Sequence, residues 1–253
     1  MKMTKTEELQ RLLHRGGFYT KSDGNFGPAT RKAVIKAQKH LGLEPDGIPG
    51  PLTLAALKSL PIDSKVLNDD ALVSAATALG VNVATIVAIT EVESESSGFL
   101  LSGKPRILFE RHVFMRRAII ETDTQDWLDT APGIINRKMG GYIGGESEHI
   151  RLDMAKVLDP DAALESASWG LFQIMGHHWD NLGYTSVQEF VGKMYESEAA
   201  QLDALVKFIK ANGNLISALQ ARDWTKFARH YNGPAFAKNQ YDKKMAAVYK
   251  RVA

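Results

Sequence analysis

A chain of 253 residues, 44% hydrophobic and 24% charged, has the apolar content for one large domain or two unequal ones. Its lack of cysteine excludes a disulfide framework, a thiolate metal site and a cysteine nucleophile. The net charge of +2 is uneven: residues 1–60 hold ten Lys/Arg against five Asp/Glu, leaving 21 against 24 beyond them. A small basic front piece suits an anionic surface, or is simply solvated. The excess is too slight, and too poor in interleaved aromatics, to indicate a nucleic-acid binder.

In chain order, Met1 to Thr6 lacks the apolar stretch of a secretory signal, and no uncharged apolar run reaches membrane-spanning length. Leu9, Leu12 and Leu13 mark a first helix. Asp23-Gly24-Asn25-Phe26-Gly27-Pro28-Ala29-Thr30 then recurs as Asp46-Gly47-Ile48-Pro49-Gly50-Pro51-Leu52-Thr53. Each copy reads as an Asp-Gly turn feeding a helix that starts at proline, so residues 1–62 are expected to form a three-helix domain. Residues 63–70, rich in Asp, Ser and Asn, read as a linker.

Residues 71–253 read as mainly α-helical, with helices over 70–80, 82–96, 112–121, 124–140, 147–158, 185–211, 214–220, 223–230 and 239–251. Arg106 to Phe109 is the best strand candidate, so a minor β element is expected. The fifth helix ends in Glu91, Glu93 and Glu95. At about 100° per residue, Glu93 falls between Ile86 and Ile89, away from the other two acids. An acid on an apolar stripe at a helix C-terminus has its pKa pushed up by burial and by the helix dipole. Such a carboxyl can serve as a proton donor, although three solvated acids at a fraying helix end fit the same periodicity.

Three other segments carry chemistry-bearing residues. Ser168-Trp169-Gly170-Leu171-Phe172-Gln173 offers a ring and an amide beside glycines, suited to a sugar groove or to core packing. Tyr231-Asn232-Gly233 is a polar aromatic turn. Glu110 lies between Arg106 and Arg111, as a second site carboxyl or a structural ion-pair partner. None of the seven histidines forms a His-Glu-x-x-His signature, so a zinc amidase is disfavoured and no metal or other cofactor is expected.

Residues 7–60 resemble the three-helix peptidoglycan-binding domain attached to many wall hydrolases, through the two Asp-Gly-x-x-Gly-Pro-x-Thr copies and Ala37-Gln38-Lys39-His40-Leu41-Gly42-Leu43. Residues 70–250 resemble the muramidase domain of phage endolysins, within the lysozyme-like superfamily. The matching residues are Glu93-Ser94, Gly98-Phe99, the 105–112 run Pro-Arg-Ile-Leu-Phe-Glu-Arg-His, Ser166-x-Ser168-Trp169-Gly170, Leu171-Phe172-Gln173 and Tyr231-Asn232. The resemblance implies a modular endolysin that cuts peptidoglycan glycan strands. Glu93 is then the acid, Glu110 and Tyr231 complete the catalytic group, and Ser94, Ser168, Trp169, Gln173 and Asn232 hold the substrate. In the front domain it implies wall binding through Asp23, Gly24, Asp46 and Gly47.

The same resemblance implies a monomer made in the host cytoplasm, released by a holin and acting on the wall in the periplasm. Lytic transglycosylation and a non-catalytic wall-binding virion protein are the rival readings. The basic C-terminal segment, with Lys243, Lys244, Lys250 and Arg251, suits a docked helix with a solvated face or a transient contact with an anionic membrane.

Overall fold

The computed structural model describes residues 4–18, 20, 24–61, 63–93, 97–100, 102–118, 124–234 and 236–253, with backbone alone at Glu93 and at 124–126. It is mainly α-helical with one small sheet. Among the described residues no single helix is long and apolar enough to cross a membrane.

The front piece is three helices: α1 (Lys5–Arg15), α2 (Pro28–His40) and α3 (Pro51–Ser59). A reciprocal pair of hydrogen bonds between Thr4 and Glu7 caps α1, and α2 and α3 each start at a proline after glycine. Leu9, Leu12, Leu13, Ala33, Val34, Ala37 and Leu57 form the core.

The sequence repeat has a physical basis in two buried glutamines. Gln10 Oε1 accepts the Gly24 N–H at 2.9 Å, while its Nε2 donates to Asn25 O and Thr30 Oγ1. Gln38 Oε1 accepts the Gly47 N–H at 2.9 Å, while its Nε2 donates to Ile48 O and Thr53 Oγ1. Each amide thus holds the turn that launches the next helix. Gly24 and Gly47 supply the positive φ that this turn requires, 73° and 74°.

The connection that follows is tied down along its length. Asp63 N–H donates to Arg15 O, Lys65 O accepts from Glu198 N–H, and Lys65 Nζ donates to Gly103 O. Its Asp, Ser and Asn content reports the lack of regular secondary structure ahead of α4, and carries no information about tertiary partners.

The larger piece comprises α4 (Asp69–Leu79), α5 (Val83–Glu93), α6 (Arg111–Arg117), α7 (Thr124–Thr130), α8 (Glu146–Leu158) and α9 (Pro160–Glu165). After these come α10 (Val187–Glu196), α11 (Glu198–Lys210), α12 (Gly213–Ala221), α13 (Trp224–Asn232), α14 (Phe236–Asn239) and α15 (Tyr241–Val252). Strands β1 (Ile107–Phe109), β2 (Ala167–Trp169) and β3 (Ile174–Met175) pair antiparallel in that order.

Several expected boundaries shift for local reasons. The helix expected over 124–140 ends at Thr130, just ahead of Pro132 and Gly133. The one expected over 185–211 breaks at Ser197, whose backbone is extended and whose Oγ caps α11 by accepting the Ala200 N–H. Helix α9 was not expected; Asp159 caps it and Pro160 opens it.

Helix α5 is buried on most sides instead of along one stripe, since Thr85, Ile86, Ala88, Ile89, Thr90 and Val92 are all buried. It packs against α4 and, most extensively, α15. The basic C-terminal helix is thus docked, with Met245 fully buried, while Lys243, Lys244 and Lys250 are exposed. Its Arg251 pairs with Glu91 of α5 and lies 3.7 Å from Glu7 of α1.

Candidate active site

Glu93 is the last residue of α5. Its side chain, with Ser94 and Glu95, lies outside the described residues. From Ser97 onward the chain is well anchored. Ser97 Oγ and Gly98 N–H both donate to Glu198, and Arg106 donates through its N–H to Gly98 O and through Nε to Ser97 O. The Arg106 carbonyl in turn accepts the Gly170 N–H at 2.7 Å. The exit of α5 is therefore stitched to the edge of the small sheet.

The pleat sorts the predicted site residues. Leu108 pairs with Ser168, and Ser168 with Met175. By alternation within the strands, Leu108, Ser168 and Met175 share one face, while Ile107, Phe109, Ala167, Trp169 and Ile174 share the other. All five residues of the second set are buried. Ser168 thus lies on the face opposite Trp169, and Glu110 follows directly on β1.

Ser168 Oγ donates to Gln173 Oε1 at 2.7 Å, and Gln173 Nε2 donates to Gly170 O at 2.8 Å. Gln173 holds a left-handed backbone, φ 51°, at the hairpin between β2 and β3. Tyr231 joins the same hairpin by donating to Phe172 O at 3.1 Å, its ring stacked on Phe227. Asn232 follows it at the end of α13.

Trp169 lies on the opposite face of β2 from Ser168. The residue is 1% exposed and its Nε1 donates to Leu164 O, so most of its ring packs in the core. The ring forms part of the floor of a cleft of about 570 Å³, beside His149, Gln188 and Tyr195, on the core side of the sheet.

Glu110 has partners that the sequence did not indicate. Tyr142 Oη lies within hydrogen-bonding distance of both carboxylate oxygens, at 2.9 and 2.8 Å, and His112 Nδ1 lies 3.1 Å from Oε2. Burial, together with the hydrogen bond and charge of Glu110, pushes the Tyr142 phenol up to about 12, so it keeps its proton and acts as donor.

Tyr142 stands in Gly140-Gly141-Tyr142-Ile143-Gly144-Gly145, where all four glycines have positive φ. Buried Glu148 holds this loop by accepting the N–H groups of Ile143 and Gly144, and holds β1 by accepting that of Phe109. Arg151 completes the cluster, with Nη1 2.6 Å from Glu148 Oε2. Burial pushes the Glu148 carboxyl up, but the N–H groups of Gly144, Phe109 and Ile143 and the Arg151 charge outweigh it, and the net shift is downward. Arg111, read as a possible partner of Glu110, instead donates to the carbonyls of Pro132, Lys138 and Met139. The paired glycines were the one sequence signal of this loop.

In the front domain Asp46 is engaged by its own turn. Its Oδ1 accepts from Ile48 N–H at 2.7 Å and from Gln38 Nε2 at 2.8 Å, bonds that hold its pKa down. Gly24 and Gly47 serve the same turns, and Asp23 lies outside the described residues. Among the described residues no three His, Asp or Glu side chains converge to hold a metal ion.

Comparison with known proteins gives the same two parts. The N-acetylmuramidase family model matches residues 82–253, and a peptidoglycan-binding domain model matches residues 3–57. The crystal structure of a Burkholderia AP3 phage endolysin is similar over 98% of this chain and 95% of that one, at 42% identity and a TM-score of 0.74. An uncharacterized protein of Kitasatospora aureofaciens is 63% identical over 35 residues, 14% of this chain and 30% of that protein, so the match spans under a third of that relative. With its larger part matched throughout by one family model and its architecture shared with an endolysin, the chain belongs to the N-acetylmuramidase family and carries a peptidoglycan-binding domain in front.

Proposed function

We propose that the protein is an endolysin that hydrolyses the β-1,4 bond between N-acetylmuramic acid and N-acetylglucosamine, with Glu93 as proton donor. The observation that carries this reading is the place of Glu93 at the C-terminal end of a helix buried on most sides. The negative end of the helix dipole disfavours a carboxylate there, and so favours a carboxyl that still holds its proton near neutral pH. Glu91, two residues before the end of the same helix, is already engaged by Arg251.

Glu93 gives its proton to the bridging oxygen as the C1–O bond breaks, and water adds to the oxocarbenium-like C1. Glu110, held in place by Tyr142, takes the proton from that water and passes it to solvent, from which Glu93 recovers the proton it gave. Gln173, Ser168, Tyr231, Asn232 and Ser94 border the glycan, and Trp169 supports the hairpin from behind. The front domain grips the wall. Holin-dependent release, action in the periplasm as a monomer, and any membrane contact of α15 belong to the same proposal.

Mass spectrometry of digested peptidoglycan is expected to show new reducing muramic acid ends. Anhydro ends would instead mean transglycosylation, and reducing glucosamine ends a glucosaminidase. The part given to Glu110 has its own check. Tyr142→Phe removes a charge-assisted hydrogen bond worth about 1.5–3 kcal/mol, and is expected to lower kcat roughly 10- to 100-fold with KM little changed. An unchanged kcat would remove Glu110 from the mechanism.

A further inference from the structure

A buried acid that the proposed reaction does not use opens α11. Glu198 is 1% exposed. Its Oε1 accepts Ser97 Oγ at 2.8 Å and Gly98 N–H at 2.9 Å. Its Oε2 accepts Leu67 N–H at 2.9 Å and lies 3.5 Å from His14 Nε2. Burial pushes the carboxyl up, but His14, the Leu67 N–H and the Ser97 hydroxyl outweigh it, and the net shift is downward. The segment leaving α5, the interdomain connection and α1 therefore meet on one ionised carboxylate.

One turn further along α11, Gln201 Oε1 accepts Leu171 N–H at 2.7 Å, and its Nε2 donates to Met194 O at 2.8 Å. Gly98 and Gly170 both pack against the Gln201 amide, so closely that a Cβ on either would overlap it. A single turn of α11 thus grips both the exit of α5 and the hairpin that carries Gln173. An aliphatic side chain would fill this inward position at no desolvation cost; a carboxylate adds directional hold on its donors.

We propose that Glu198 is a positioning residue for the reaction: by fixing Ser97 and Gly98, it sets where the proton-donating end of α5 stands relative to the Gly170–Gln173 hairpin. The inference rests on Glu93 being the acid. It names a role for a side chain that need not touch substrate, so it should act on kcat and spare KM.

The test uses the full chain and a soluble glycan oligomer, with the folded fraction followed by circular dichroism and rates normalised to folded protein. Glu198→Ala is expected to lower kcat about tenfold or more and Ser97→Ala about threefold or more, with KM within about twofold for both. Glu198→Gln keeps an oxygen able to accept from Ser97 and Gly98, and is expected to recover most of the loss. A folded Ser97→Ala protein with a smaller kcat loss, or with its effect in KM, overturns the proposal. So does a folded Glu198→Gln protein no better than Glu198→Ala. If either Glu198 variant fails to fold, Ser97→Ala alone decides. Glu93→Gln separates the two ideas: wild-type activity there removes the acid assignment, whereas a dead Glu93→Gln beside an unimpaired Ser97→Ala removes only the role of Glu198.

Discussion

Glu93→Gln is expected to abolish glycan cleavage, lowering kcat by at least about a thousandfold, while the melting temperature stays within a few degrees of wild type. The amide matches the carboxyl in size, so the helix end keeps its packing, but it has no proton to give at neutral pH. Loss of a general acid alone costs about 10²- to 10⁴-fold. Release of reducing ends from purified walls, measured beside a thermal melt, checks both halves. The same change at Glu91 removes only a half-exposed ion pair with Arg251, worth about 0–1 kcal/mol, and should leave cleavage intact. Near-normal wall clearing by Glu93→Gln would falsify the assignment.

Glu148→Ala is expected to be the most damaging single change to stability. It strands the buried Arg151 charge and leaves three backbone N–H groups without their acceptor. Breaking a buried pair from one side costs about 3–5 kcal/mol. For a domain of this size that is a fall in melting temperature on the order of 10 °C.

The effect should depend on pH. The folded Glu148 carboxyl lies below its ordinary value, so its contribution is present above the unfolded value of about 4.3 and is lost as pH falls through the lowered folded value. Wild type and variant should therefore converge in acid. Equal melting temperatures at pH 7 would show that the cluster does not hold the fold. Because Glu148 also anchors the loop of Tyr142, residual folded variant should cut more slowly.

The front domain was legible because its turns are written twice, in Asp-Gly and Gly-Pro-x-Thr. What holds those turns was hidden, since Gln10 and Gln38 sit on the preceding helices and a single amide has no period. The end of α5 was legible within a few residues, but the face on which Glu93 falls was not, because α5 is not buried along one apolar stripe. Thr85 and Thr90 are buried too, so polarity did not mark the outer side. Strands of two and three residues are too short to show alternation, which hid β2 and β3.

Without the register of β2, Trp169 and Ser168 could not be told apart. One faces the core and the other lies beside Gln173. The break at Ser197 was invisible because apolar spacing runs on through it. Tyr142, Glu148 and Glu198 meet partners far off in sequence, up to 184 residues away for Glu198 and His14, a pairing no local pattern records.

The stretch from Asp63 to Leu67 is bonded to Arg15 on one side and to Gly103 and Glu198 on the other. A slack tether lets a wall-gripping module roam around its cutting partner, so that any bond within reach is a target. On the proposed function, these bonds would hold the offset between the gripped point and the severed bond constant. The protein would then work as a ruler, choosing its next cut by where it already holds the wall.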